Sequence, residues 1–220
     1  MIKLNLKNPL VKEEPFRHII FQNCIPLDQK AVTAEAMAVL DAAKKTKAES
    51  SNYSKIEVKH ADGICGQLLD AMCGEELGKL CSKYFTLPGL TPDPEYDGGG
   101  LTMTAPGKFL RYHYDFPFFS HARKREVVVN ALLYLSDPAI EGGELHLLDA
   151  DSGTVEATVS PKFGTLAIFA TSDKSPHGVS KIRRHPRISI NSYFYLNQPL
   201  DNRVEPSKTT WLNELKGMDH

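Results

Sequence analysis

His113 and Asp115 stand two residues apart in the aromatic run Arg111-Tyr112-His113-Tyr114-Asp115. In a strand, side chains alternate with a period of two, so the imidazole and the carboxylate would leave the same face and grip one metal ion. A third candidate ligand is His177, in Ser175-Pro176-His177-Gly178-Val179. Two imidazoles and one carboxylate on one side of a metal, with the other positions open, suit non-haem Fe(II) chemistry. The pair alone says little, because a chain with 8 histidines and 27 acidic residues produces such spacings by chance. Its weight comes from its company. Arg187 follows His177 by ten residues and opens the run Arg187-Ile188-Ser189-Ile190-Asn191-Ser192-Tyr193. Arg187, Ser189, Asn191 and Tyr193 would share one strand face, with Ile188, Ile190 and Phe194 on the other. An inward arginine is costly without an anionic partner. A bound carboxylate answers that cost with a bidentate, charge-assisted pair.

These residues need a scaffold, and the second half of the chain predicts one. Short β-rich runs follow one another: Leu101–Thr104, Lys108–Tyr114, Val127–Leu135, Glu144–Leu148, Thr154–Ser160, Thr165–Ala170, Val179–Ile182 and Arg187–Leu196. Turn residues separate them, which points to a sandwich or jelly roll. His177 then lies between the Leu166–Ala170 and Val179–Ile182 strands, and the alternative to a ligand there is a solvated loop histidine. The first half predicts one or two strands within residues 1–25. A helix then starts at Asp28 as N-cap, with Ala31, Ala34, Met37, Ala38 and Leu40 on its apolar face. A second helical stretch covers Gly63 to Phe85, weakened at Gly74. Residues Leu87 to Gly100, rich in Pro and Gly, read as a loop and as the best boundary between a helical N-terminal layer and the β-rich part. The whole reads as a single domain, mainly β in an α+β class: strands and supporting helices over 1–100, a core over 101–197 and a tail over 198–220.

Bulk composition narrows the partners. A net charge of -1 gives no basic footprint for nucleic acid. No apolar run is long enough to span a membrane. The first residues, with Ile2, Leu4 and Leu6 alternating with polar neighbours, lack the apolar core of a secretory leader, so the cytoplasm is the expected compartment. Cys24, Cys65, Cys73 and Cys81 form no CxxC pair and are expected in helical or core packing.

With these motifs assembled, the C-terminal half resembles the Fe(II)/2-oxoglutarate-dependent dioxygenases, in particular the prolyl 4-hydroxylase-like branch. The resemblance runs from about Thr102 to Asn197. It rests on His113-Tyr114-Asp115, Leu132-Leu133-Tyr134-Leu135-Ser136, Gly142-Gly143-Glu144-Leu145, Pro161-Lys162-Phe163-Gly164-Thr165, Ser175-Pro176-His177-Gly178 and Arg187-Ile188-Ser189. It implies a double-stranded β-helix (jelly roll) with the N-terminal helices packed on one sheet. It implies His113, Asp115 and His177 as ligands of Fe(II), with 2-oxoglutarate and O2 as co-substrates and ascorbate as a supporting reductant. Arg187, Ser189 and Tyr134 would hold the distal carboxylate of 2-oxoglutarate, and Asn130 would reach its iron-side carboxylate. Leu145 and Leu147 would form an apolar wall. The related halogenases replace the ligand carboxylate with a small residue, so Asp115 disfavours halogenation.

Substrate identity is less legible. The loops expected to carry it are Leu87–Gly100 and Asp115–Arg125. Neither is long, so the expected substrate is a small molecule: an amino acid, a sugar or a natural-product scaffold. A peptidyl-prolyl substrate is the alternative, and a non-catalytic sensor binding metal or 2-oxoglutarate a further one. His146, His185 and His121 are expected off the site. The basic clusters Arg123-Lys124-Arg125 and Lys181–Arg184 are expected on solvated faces. Arg111 shares the metal face if the strand alternates cleanly.

Overall fold

The computed structural model describes residues 2–44, 55–115, 126–196 and 210–212. Two sheets face each other. The larger runs in the order β1 (Leu10–Lys12), β2 (His18–Phe21), β10 (Leu166–Ala170), β7 (Glu126–Tyr134), β12 (Arg187–Leu196), β5 (Gly100–Thr104) and β3 (Lys55–Val58), with β4 (Thr91–Pro92) also paired to β12. The smaller runs β13 (Thr210–Trp211), β6 (Leu110–Tyr114), β11 (His177–Val179), β8 (Leu145–Leu148) and β9 (Val155–Val159). This is the expected jelly roll.

Three helices, α1 (Gln29–Lys44), α2 (Gly63–Met72) and α3 (Glu75–Phe85), cover the outer face of the larger sheet. Val32, Ala36 and Leu40 of α1, Leu68 and Met72 of α2 and Leu77 of α3 join Leu101, Leu133, Ile188, Ile190 and Phe194 in one buried cluster. Each fully buried Leu or Ile here contributes about 1.5–3 kcal/mol relative to exposure. A second cluster fills the space between the sheets, with Leu132 and Tyr134 of β7, Leu145 and Leu147 of β8, and Phe169 of β10. Strand β7 is buried at every residue, because helices cover one face and the smaller sheet the other.

Local chemistry sets the element ends. The Asp28 carboxylate accepts the Ala31 N–H at 2.9 Å, as an N-cap does. The α2 N-terminus has no cap from its own Asp62 side chain. Glu35 of α1 supplies it instead, accepting the Cys65 N–H at 2.8 Å. Cys73 caps the end of α2 and Gly74 the start of α3, so the Gly63–Phe85 region is two helices. Cys24, Cys65 and Cys81 are buried free thiols and Cys73 is half-buried, in line with core packing.

Four expectations change. The inward face of α1 is Val32, Ala36 and Leu40, while Ala31, Ala34 and Ala38 are exposed. Alanines bury little area, so the larger Val32 and Leu40 set the rotation. Leu87–Gly100 is a stitched crossing rather than a boundary. The Asp93 carboxylate accepts backbone N–H groups from Glu95 and Asp97, and its own N–H donates to the Tyr193 carbonyl at 3.0 Å. The N-terminal part is not a separate helical layer either, since β1, β2 and β3 extend the same sheet as β7 and β12. Finally, the strand expected at Val179–Ile182 begins earlier, at His177.

Candidate active site

The two histidines meet through sheet register. His113 on β6 is the direct cross-strand partner of His177 on β11, and His177 in turn pairs with Leu147 on β8. Their rings lie 4.5 Å apart between centroids. Asp115 follows β6 directly, and its Oδ1 stands 3.6 Å from Nε2 of each histidine. The candidate ligand atoms all lie within 4.8 Å of one another. The strand pairing that buries His177 starts next to Pro176, whose carbonyl accepts the Leu148 N–H at 3.0 Å. His177 is therefore a buried strand residue rather than a loop residue.

The hydrogen bonds behind these rings fix which nitrogen faces the site. His113 Nδ1 donates to the Arg111 carbonyl at 2.8 Å and His177 Nδ1 to the Ser175 carbonyl at 3.0 Å. A carbonyl only accepts, so in the neutral rings Nε2 is left as the lone-pair nitrogen. Burial pushes the His177 pKa down to about 4, against the pull of the Asp115 carboxylate. Burial alone would push the Asp115 carboxyl up. His177, His113 and the Asn130 amide outweigh it and hold the group at about 2. At neutral pH the trio is a neutral imidazole at His177 and an ionised carboxylate, the forms a metal requires. Asn130, expected to reach the co-substrate, donates from Nδ2 to Asp115 Oδ2 at 3.0 Å. The carboxylate thus splits its oxygens, Oδ1 towards the imidazoles and Oδ2 towards the amide. Phe169 closes one flank, with its ring 4.8 Å from that of His177.

Arg187 is buried on the same interior side of the larger sheet. Its Nε donates to the Gly143 carbonyl at 3.1 Å, Nη2 to the Tyr134 hydroxyl at 3.1 Å, and Nη1 points at Ser189 Oγ at 3.4 Å. The guanidinium carbon sits 4.9 Å from the centroid of the Tyr134 ring. A guanidinium has five N–H groups and keeps its charge. Two of them are left without these partners, and no described carboxylate pairs with it. A permanent cation buried this way calls for an anion.

Two contributors, Gly143 and Thr102, escaped sequence reasoning, while Asn191 lies on the face expected for it. Gly143 takes φ +75, and its carbonyl accepts from Arg187; the Gly142-Gly143 motif carried that signal without its meaning. Asn191 Oδ1 accepts the Ser189 hydroxyl at 2.8 Å, and Thr102 Oγ1 lies 3.1 Å from Ser189 Oγ. Leu145 and Leu147 do face the interior. His146 faces the opposite side, where Tyr112 contacts it. His185 lies in a turn with φ +58. Lys181, Arg183 and Arg184 are exposed. Arg111 is exposed too, and its contribution to the site is its backbone carbonyl. His121 and Arg123-Lys124-Arg125 lie outside the described residues.

Residues 99–195, which hold every one of these groups, match the 2OG-Fe(II) oxygenase superfamily. Over that stretch, a little under half of its length, the chain resembles that superfamily. Among solved structures, a Pseudomonas putida prolyl-4-hydroxylase is 26% identical and superposes with a TM-score of 0.56, covering 83% of this chain and 87% of that one. A prolyl hydroxylase from Trichoplax adhaerens, solved in complex with a hypoxia inducible factor peptide fragment, shares the fold at 17% identity and a TM-score of 0.55, covering 81% of this chain and 83% of that one. Rat prolyl 3-hydroxylase 2 is 37% identical over 76 residues, a match that takes in 34% of this chain and 10% of that relative. The match to this oxygenase superfamily, with prolyl 4-hydroxylases among its structural neighbours, implies Fe(II), 2-oxoglutarate and O2. The donor set of the oxygenase site fits the metal, and the unpaired buried charge of Arg187 fits the distal carboxylate of 2-oxoglutarate.

Proposed function

We propose that this oxygenase hydroxylates a prolyl residue within a peptide. The reading rests on one coincidence: a His-Asp-His trio and a buried, carboxylate-free arginine share one interior in a chain that resembles a prolyl-4-hydroxylase along most of its length. The small-molecule substrate expected from the sequence loses ground here, because the relatives on which a substrate can be argued are prolyl hydroxylases.

In this reading His113, Asp115 and His177 hold Fe(II) through two Nε2 atoms and a carboxylate oxygen. Bound Fe(II), with 2-oxoglutarate and O2, supplies the C–H hydroxylation chemistry, with succinate and CO2 as co-products. The chain's own residues do the rest. The carbonyls of Arg111 and Ser175 hold the proton of each neutral ring on Nδ1, so that Nε2 carries the lone pair that faces the site. Asn130 stops the Asp115 carboxylate from rotating. Arg187 binds the distal carboxylate of 2-oxoglutarate with its two remaining N–H groups, and the hydroxyls of Tyr134 and Ser189 hold the guanidinium in plane and complete the cradle. Gly143 fixes the arginine stem. Leu145, Leu147 and Phe169 exclude water from the walls, which strengthens every charge interaction inside.

The test uses the full chain with Fe(II), 2-oxoglutarate, ascorbate and a panel of proline-containing peptides. The expected result is a mass gain of one oxygen on proline, matched mole for mole by succinate. Amino-acid analysis then separates 3- from 4-hydroxyproline. Succinate coupled only to oxidation of a free amino acid or sugar, with every peptide unchanged, would overturn the peptidyl reading.

A further inference from the structure

On the outer face of the smaller sheet, Tyr112 of β6 reaches across β11 to β8. Its hydroxyl lies 2.9 Å from His146 Nδ1. Its ring passes over Gly178: a Cβ added there would stand 2.6 Å from Tyr112 Cδ1 and 2.7 Å from the Leu110 carbonyl oxygen. Gly178 is thus the gap that lets one side chain tie together three strands.

The β6–β11 register slips directly beneath this crossing. His177 pairs with His113, yet Val179 pairs with Leu110, so Arg111 and Tyr112 together stand opposite Gly178. That is a β-bulge, and bulges next to functional sites re-aim side chains. The inner-face consequence is visible. The Arg111 carbonyl, at the bulge, accepts from His113 Nδ1 at 2.8 Å. That bond sets the ring plane and tautomer of one candidate ligand.

We propose that Tyr112, bonded to His146 across Gly178, is a positioning residue: it holds the β6 bulge and so aims His113 Nε2 at the metal. The inference rests on reading His113, Asp115 and His177 as metal ligands. Both partners are half-buried on the face away from the site, so neither touches metal or substrate. The clasp acts through the backbone, in the way that outer partners of ligating histidines tune a metal site.

Mn(II) is the probe, titrated into the full chain and followed by loss of the free-ion EPR signal, with thermal melting of each metal-free variant in parallel. Tyr112→Phe keeps the ring over Gly178 and removes only the hydroxyl. His146→Leu removes the other partner. His146→Asn restores a polar atom near the Nδ1 position. The expected result is a Mn(II) Kd raised on the order of ten-fold in Tyr112→Phe and in His146→Leu. Melting should change little, and His146→Asn should return Kd close to wild type. An unchanged Kd in Tyr112→Phe overturns the proposal, as does a weakening that merely tracks lost thermal stability. If the wild-type chain binds no Mn(II), the metal-site reading falls and the clasp with it. If the wild type binds and the variants bind equally well, the clasp alone falls.

Discussion

The two faces of β12 differ sharply in chemistry. Ile188, Ile190 and Phe194 turn to the helices and are fully buried among aliphatic neighbours. Arg187 and Ser189 turn the other way and are just as buried, yet they carry a charge and a hydroxyl into the space between the sheets. A strand alternates faces at every residue, so one ten-residue segment serves both purposes. The outer face supplies stability, because its burial is complete without a ligand. On the proposed function, the inner face costs stability that a bound anion and metal would offset.

Substitutions on the two faces should therefore separate in kind. The largest effect belongs to the trio. Asp115→Ala or His177→Ala should lower succinate formation more than about 100-fold, beyond what the loss of an outer-shell partner costs. Next comes the arginine. Arg187→Met should raise the apparent KM for 2-oxoglutarate by about 30-fold or more, equivalent to roughly 2–5 kcal/mol for breaking a buried charge pair. Without 2-oxoglutarate the same variant should melt no lower than wild type, because it removes an uncompensated buried charge. Ile190→Ala, one strand position from Asn191, should do the reverse. It should cost about 2–5 kcal/mol in urea unfolding and leave the KM for 2-oxoglutarate in place.

The smallest effect is in pH. The unfolded chain protonates His177 near pH 6.5, whereas burial holds the folded group to about 4. Between these values the unfolded state binds more protons, so the stability of the metal-free protein should fall as pH drops through that window. His177→Gln should flatten the slope of the urea midpoint there. At the alkaline end the sign reverses. Burial pushes the thiols of Cys24, Cys65 and Cys81 up to about 12. Stability should hold below about pH 8.5, where free thiols titrate, and decline as pH rises toward 12.

The inner face was more legible in the sequence than the outer one. His113, Asp115, His177, Tyr134, Arg187 and Ser189 have side chains whose chemistry limits what they can do, and the structure brings them to one interior. The phase of α1 was only partly right: Leu40 and Met37 pack on the core as expected, but Ala31, Ala34 and Ala38 face out, because alanines give a helical period without saying which side is heavy. His177 was placed outside the strand because Pro176 and Gly178 read as turn residues. Gly178 is there instead because the bulged partner strand and the Tyr112 ring leave no room for a Cβ. The work of Gly143 and of the Arg111 carbonyl is backbone geometry, which residue types do not spell out. Strand β3 was not expected, because it is short and gains its place only by pairing with β5.

The most direct test of the functional reading of the inner face is anaerobic titration of 2-oxoglutarate into the Fe(II)-loaded chain, wild type against Arg187→Met, followed by visible absorption of the chelated iron. The expected result is a saturable absorption band in the wild type and a Kd about 30-fold or more weaker in the variant. No band in the wild type, or the same Kd in both proteins, would contradict the assignment of this face to iron and 2-oxoglutarate.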